Sequence, residues 1–107
     1  MATGEISRRL RRLPRLRVLG RDVTVARGPF VRTFGLALLD REEAGPGLLI
    51  PRCRSVHTFG MRFALDLYFL DAGGAPASIH LDVPPGRVVS DRRAAAVLEL
   101  PAGGKSS

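Results

Sequence analysis

Leu65-Asp66-Leu67-Tyr68-Phe69-Leu70-Asp71-Ala72-Gly73-Gly74-Ala75-Pro76-Ala77-Ser78-Ile79-His80-Leu81-Asp82-Val83 is the stretch on which the fold turns. Leu65, Leu67 and Phe69 alternate with Asp66, Tyr68 and Leu70. A period of two is the mark of a strand, because successive side chains leave opposite faces. Asp71-Ala72-Gly73-Gly74 reads as a turn, and a second strand runs from about Ala77 to Val83. Two such strands around a glycine-containing turn predict a β-hairpin. Pro84-Pro85-Gly86 ends it.

The same rules extend outward. Upstream, Leu16 and Val18, then Val23 and Val25, flank Gly20-Arg21-Asp22 and suggest an earlier hairpin. Gly28-Pro29 breaks the second strand. Phe30, Val31, Phe34 and Leu38 then fall at helical spacing, which predicts one short helix over 30–39. A polar loop ends in Gly45-Pro46-Gly47. Leu48-Leu49-Ile50 is a buried strand stopped by Pro51, and residues 52–64 read as irregular. Downstream, Val88-Val89 is a short strand and Ala95 to Leu100 is the last one. The expectation is an α+β fold, mainly β: a small barrel-like antiparallel sheet of six or seven short strands with one short helix. Such curling limits exposed edges. It predicts three parts: a basic flexible N-terminal arm over 1–15, a single β-rich domain over 16–103, and a flexible tail over 104–107.

Composition narrows the class. The 107 residues fit one domain, and 45% hydrophobic content supports one core. Cys53 is the single cysteine, so no intrachain disulfide is possible. No secretory signal and no run of about 20 apolar residues is visible, which predicts a cytoplasmic location with no membrane partner. The net charge is +7, and residues 1–34 hold all of that excess: nine arginines against Glu5 and Asp22. Sixteen of the seventeen basic residues are arginine. Arginine pairs well with phosphate, although a GC-rich genome also favours it.

Beyond periodicity, the chain carries five spaced blocks in order. They are Gly35-Leu36, Gly45-Pro46-Gly47-Leu48-Leu49, His57-x-Phe59-x-Met61 with Leu65-Asp66, Phe69-Leu70-Asp71, and Val97-Leu98-Glu99-Leu100 with Ala102-Gly103. This pattern resembles the domain of unknown function 192 family (uncharacterised protein family 0127) over about residues 16–103. The resemblance implies a small β-rich, barrel-like fold and no established activity. Two departures matter. Many members have a tryptophan where Gly60 stands, followed by Lys-Asn-Thr, where this chain has Arg62-Phe63-Ala64. Many also continue past the Ala-Gly into a short helix and strand, which predicts an open sheet edge here. Many relatives are exported.

The candidate chemistry lies in His57, Thr58, Phe59, Met61 and Asp66. A histidine held by a carboxylate can act as general base or metal ligand. It can equally satisfy a backbone group in a tight segment. Phe59, Met61 and Phe63 alternate, as a pocket floor or as core. Cys53 and His57 are two ligand types, short of the four of a structural zinc site. Ser55, His57 and Asp66 have the residue types of a triad but no G-x-S-x-G elbow. No glycine motif cradles a phosphate, and neither a cofactor nor a metal is expected.

Three functions follow as expectations. The first is a non-enzymatic binding or accessory domain with a recognition cleft near His57 and Asp66. The second is a small hydrolase-like enzyme using His57 as base and Asp66 to orient it. The third is polyanion or nucleic-acid binding by the arm through Arg8, Arg9, Arg11, Arg12 and Arg15. A protein partner, or self-association through a sheet edge, is the further expectation.

Overall fold

The computed structural model describes residues 14–26 and 47–103. Eight strands lie there: β1 (Arg15–Val18), β2 (Arg21–Val25), β3 (Leu48–Pro51), β4 (Ser55–His57), β5 (Leu65–Leu70), β6 (Pro76–Val83), β7 (Val88–Ser90) and β8 (Ala96–Pro101). Six form one sheet in the order β1-β2-β3-β8-β5-β6, and β4 and β7 form a separate two-stranded ribbon.

The expected hairpin is β5–β6, with Tyr68 opposite Ile79 and Phe69 opposite Ser78. Asp71 builds its turn. The Asp71 carboxylate accepts the N–H groups of Gly73 (2.9 Å) and Ala75 (3.0 Å), as an Asx turn does. The earlier hairpin is β1–β2, with Val18 opposite Arg21. Its two-residue loop is Leu19-Gly20, one step before the expected centre, and both residues take positive φ (50° and 79°). That geometry matches the right-handed twist of the flanking strands.

Alternation along β5 and β8 sorts the core onto two faces. Leu65, Leu67, Phe69 and Val97 pack with Leu48, Ile50, Val56 and Met61 on one side. Leu70, Leu98 and Leu100 pack with Val23 and Leu49 on the other. The β4–β7 ribbon contributes Val56 and Val89 to the first face and so lies over it.

Four expectations change. Among the described residues the sheet is open: β1 and β6 end the strand order and do not pair with each other, so no barrel closes among them. It is also mixed, because β2 and β3 pair in parallel, with Thr24 opposite Leu48. A parallel pair needs a crossover of about a dozen residues or more, and residues 26–47 span that distance. There are eight strands rather than six or seven, because Ser55–His57, read as irregular, is β4. Arg15, assigned to the arm, begins β1 opposite Thr24. The helix expected over 30–39 falls outside the described residues, and no helix occurs among them. Arg8, Arg9, Arg11 and Arg12 and the tail at 104–107 also fall outside them. No helix of the described residues is long and apolar enough to cross a membrane.

Gly47 fixes the entry to β3. It sits at φ +124°, and a Cβ there would run into the Leu100 side chain and the Glu99 carbonyl oxygen. Positive φ and overpacking each cost about 1–3 kcal/mol for a residue with a side chain. Gly47→Ala should therefore lower unfolding stability by about 2 kcal/mol or more in urea titration. A loss within about 0.5 kcal/mol, as at an ordinary surface site, would contradict this packing.

Candidate functional site

The ribbon pairs Ser55 with Ser90, Val56 with Val89 and His57 with Val88. Val56 and Val89 face the core. Alternation therefore sends Ser55, His57, Val88 and Ser90 outward together.

Thr58 holds one end of the ribbon. It is fully buried. Its hydroxyl donates to the Pro84 carbonyl (2.7 Å) and accepts from the Arg87 N–H (2.8 Å). Its own N–H donates to the Arg87 carbonyl, and its carbonyl accepts from the N–H groups of Gly86 and Met61. Gly86 takes φ +87°, which lets the loop after β6 fold back onto Thr58. Every polar group of Thr58 is thus committed to the backbone.

His57 and Phe59 lie on either side of that anchor. Their rings stack at 5.5 Å with 23° between planes. Phe59 stays 53% exposed, and Val88, opposite His57, is 62% exposed. The His57 Nδ1 atom is buried and finds no hydrogen-bond partner among the described residues. Buried polar atoms are nearly always paired, so such an orphan calls for an explanation.

The other expected site residues lie elsewhere. Met61 is a core side chain. Asp66 is buried and shares the sheet face of Tyr68 and Leu70, whereas the ribbon covers the opposite face. Its Oδ1 accepts the N–H of Asp82 (2.8 Å), where β6 bulges against β5 and Asp82 takes φ +57°. Asp66 therefore pins a bulge, and the structure does not bring it to His57. Ser55 accepts a hydrogen bond from Ser90 (2.7 Å), so the residue types Ser55, His57 and Asp66 do not converge as a triad. The Cys53 thiol bonds the Ser55 carbonyl (3.2 Å).

A second polar cluster escaped the sequence reading. Ser78 donates to Asp91 Oδ2 (2.6 Å), and His80 Nε2 lies 3.2 Å from the Ser78 oxygen. Arg93 grips both Asp91 oxygens (3.0 and 2.9 Å). These hydrogen bonds, with Arg93 first and Ser78 next, hold the Asp91 carboxyl well below its ordinary value. The residue types are those of a triad, but the order is wrong. A working triad places histidine between serine and aspartate. Here serine lies between them and gives its proton to a weakly basic carboxylate, so its oxygen is not activated. The only sequence hints were Ser78 and His80 two apart on one strand face. Their link to Asp91 is formed by the fold.

Among the described residues β6 ends the strand order, and Ile79 and Leu81 on it are exposed. Pro76 and the bulge at Asp82 blunt it as a template for strand addition.

The family model DUF192, described as Uncharacterized ACR, matches residues 15–106. No curated protein matches the chain. The chain is similar to a protein from Sinorhizobium meliloti 1021 described as a candidate transcription regulator. That likeness has 28% identity and a TM-score of 0.65, and covers 83% of this chain and 78% of that one. It also shares its fold with a protein of unknown function from Novosphingobium aromaticivorans DSM 12444. There the identity is 20% and the TM-score 0.62, with 76% of this chain and 63% of that one covered.

Two tests separate scaffold from surface. Thr58→Val keeps the shape but strands the Pro84 carbonyl and Arg87 N–H, so it should cost about 1–3 kcal/mol in chemical denaturation. Phe59→Ala should stay within about 0.5 kcal/mol, as exposed substitutions do. The reverse ranking would mean that the ring, and not the hydroxyl, holds the ribbon.

Asp91 has a lowered folded-state pKa, so the unfolded chain takes up its proton first as pH falls. Its contribution is complete above the ordinary value of 3.8 and is lost below it. The stability gap between the native chain and Asp91→Asn should therefore shrink in acid thermal melts. A gap independent of pH would contradict the Arg93–Asp91 pairing.

Proposed function

We propose, from the premise that the chain belongs to the DUF192 family, that it is a non-enzymatic recognition domain whose binding surface is the outer face of the β4–β7 ribbon. The observation that carries this reading is the His57–Phe59 stack. A large ring stays exposed against a histidine whose buried Nδ1 has no partner among the described residues. Exposed apolar surface costs free energy, and a partner that stacks on the Phe59 ring relieves that cost.

Of the five candidate residues, His57 and Phe59 form the surface. Thr58 positions them through its backbone bonds. Met61 and Asp66 act in the core and at the β6 bulge. The hydrolase reading loses support, because no described residue places a carboxylate beside His57 to orient it as a base, and Ser78 is bonded in the wrong order. The Sinorhizobium relative is described as a candidate regulator of transcription, which accords with binding rather than turnover.

The test is mapping by nitrogen–proton NMR with a small aromatic probe, indole. Indole should first shift the amides of residues 57–61 and Val88, and Phe59→Ala should abolish those shifts. Shifts centred on the Ser78–Asp91 cluster, or unchanged by Phe59→Ala, would contradict the reading.

A further inference from the structure

The far end of the same ribbon carries a feature that the aromatic stack does not explain. Two clefts lie at the Ser55–Ser90 pair, each lined by one of the two serines. One, of about 670 Å³, is lined by Arg52, Arg54 and Ser55 among others. The other, of about 480 Å³, is lined by Ser90, Asp91, Arg92 and Arg93 among others. The Asp91 N–H donates to the Arg54 carbonyl (2.9 Å), so Arg54 lies opposite Asp91, the neighbour of Arg92, at the end of the ribbon.

The charges do not cancel. Asp91 is the one acid lining these clefts among the described residues, and Arg93 neutralises it with two bonds. Arg54 and Arg92 are exposed, and neither side chain makes a hydrogen bond or ion pair among the described residues. The two serine hydroxyls share one bond, which leaves one O–H to donate outward. Guanidinium groups with a hydroxyl donor suit a phosphate oxygen.

Spacing then selects the ligand. Ser55 and His57 are two residues apart on one strand face, a separation of roughly 6.6 Å. The exposed Phe59 ring stacks 5.5 Å from the His57 ring, so a phosphate at the hydroxyl pair lies within about two nucleotides of it. Stacking on such a ring requires a base free of its pairing partner. An acidic peptide would satisfy the arginines but stacks on the ring only where it carries an aromatic side chain, whereas every nucleotide carries a base with a π-face.

We infer that the outer face of the ribbon binds single-stranded nucleic acid, with a phosphodiester against Arg54, Arg92 and the Ser55–Ser90 hydroxyls and a base against Phe59. This rests on the recognition reading above and names its ligand class. It places nucleic-acid binding on the folded body, whereas the arm reading rests on Arg8, Arg9, Arg11, Arg12 and Arg15.

Fluorescence anisotropy with the full chain and labelled oligothymidylate tests it across a salt series. Affinity should fall as salt rises. Arg54→Ala combined with Arg92→Ala should weaken binding and flatten the salt slope by about two contacts. Phe59→Ala should weaken binding about tenfold with the slope unchanged. The matching duplex and polyglutamate should each compete poorly. Thermal melts confirm that the variants are folded. Binding lost only when Arg8, Arg9, Arg11 and Arg12 become serine would overturn the inference. So would equal affinity for duplex or polyglutamate, indifference to Phe59→Ala, or no binding. If oligothymidylate fails while indole still maps to residues 57–61, the ligand class is wrong and the surface stands. If both fail, the recognition reading falls with it.

Discussion

A single buried hydroxyl organises the functional end of this molecule. Thr58 bonds the Pro84 carbonyl, the Arg87 N–H and three further backbone groups. Those bonds close the four-residue connection 84–87 between β6 and β7 onto the end of β4. Without them the two three-residue strands of the ribbon would have little to hold their register, because an isolated hairpin is marginal in water. The ribbon in turn covers one face of the six-stranded sheet with Val56 and Val89 and turns His57, Ser55, Val88 and Ser90 outward. The surface is thus a consequence of a backbone clamp. A surface held by backbone bonds favours binding, since less ordering remains to be done when a partner arrives.

The parts of the fold that could be read in advance are those written in local pattern. The β5–β6 hairpin follows from strict alternation and from the Asp71-Ala72-Gly73-Gly74 turn. β3 ends where Pro51 stands, and β8 spans the apolar Ala96–Pro101 run within one residue of expectation. What could not be read is pairing at a distance. Nothing in Val23–Val25 says that it meets Leu48–Leu49 in parallel, because that depends on the path of an intervening segment. β4 was missed because three residues cannot display a period of two, and Ser55-Val56-His57 follows Pro51 in a stretch without alternation. Closure into a barrel was an inference from strand length, and the β6 bulge and Pro76 show how an open edge is protected instead.

The candidate site was half legible for the same reason. His57 and Phe59 stood out by type and are indeed neighbours in space. Asp66 lies nine residues beyond His57 in the chain, yet its alternation with Leu65 and Leu67 assigns it to the face away from the ribbon. Ser78, Asp91 and Arg54 gained their meaning only when β6, β7 and the segment before β4 came together. DUF192 membership and the similar solved structures agree with the mainly β architecture, while the chemistry has to be argued from these side chains.

The most direct test of the recognition surface is photochemical cross-linking of oligothymidylate to the full chain, read by mass spectrometry of tryptic peptides. Trypsin cuts after Arg54 and Arg62, so the stacked ring is isolated on the peptide Ser55–Arg62. The account predicts that the adduct falls on this peptide and disappears with Phe59→Ala. Adducts confined to the first thirteen residues, or none on residues 55–62, would contradict it.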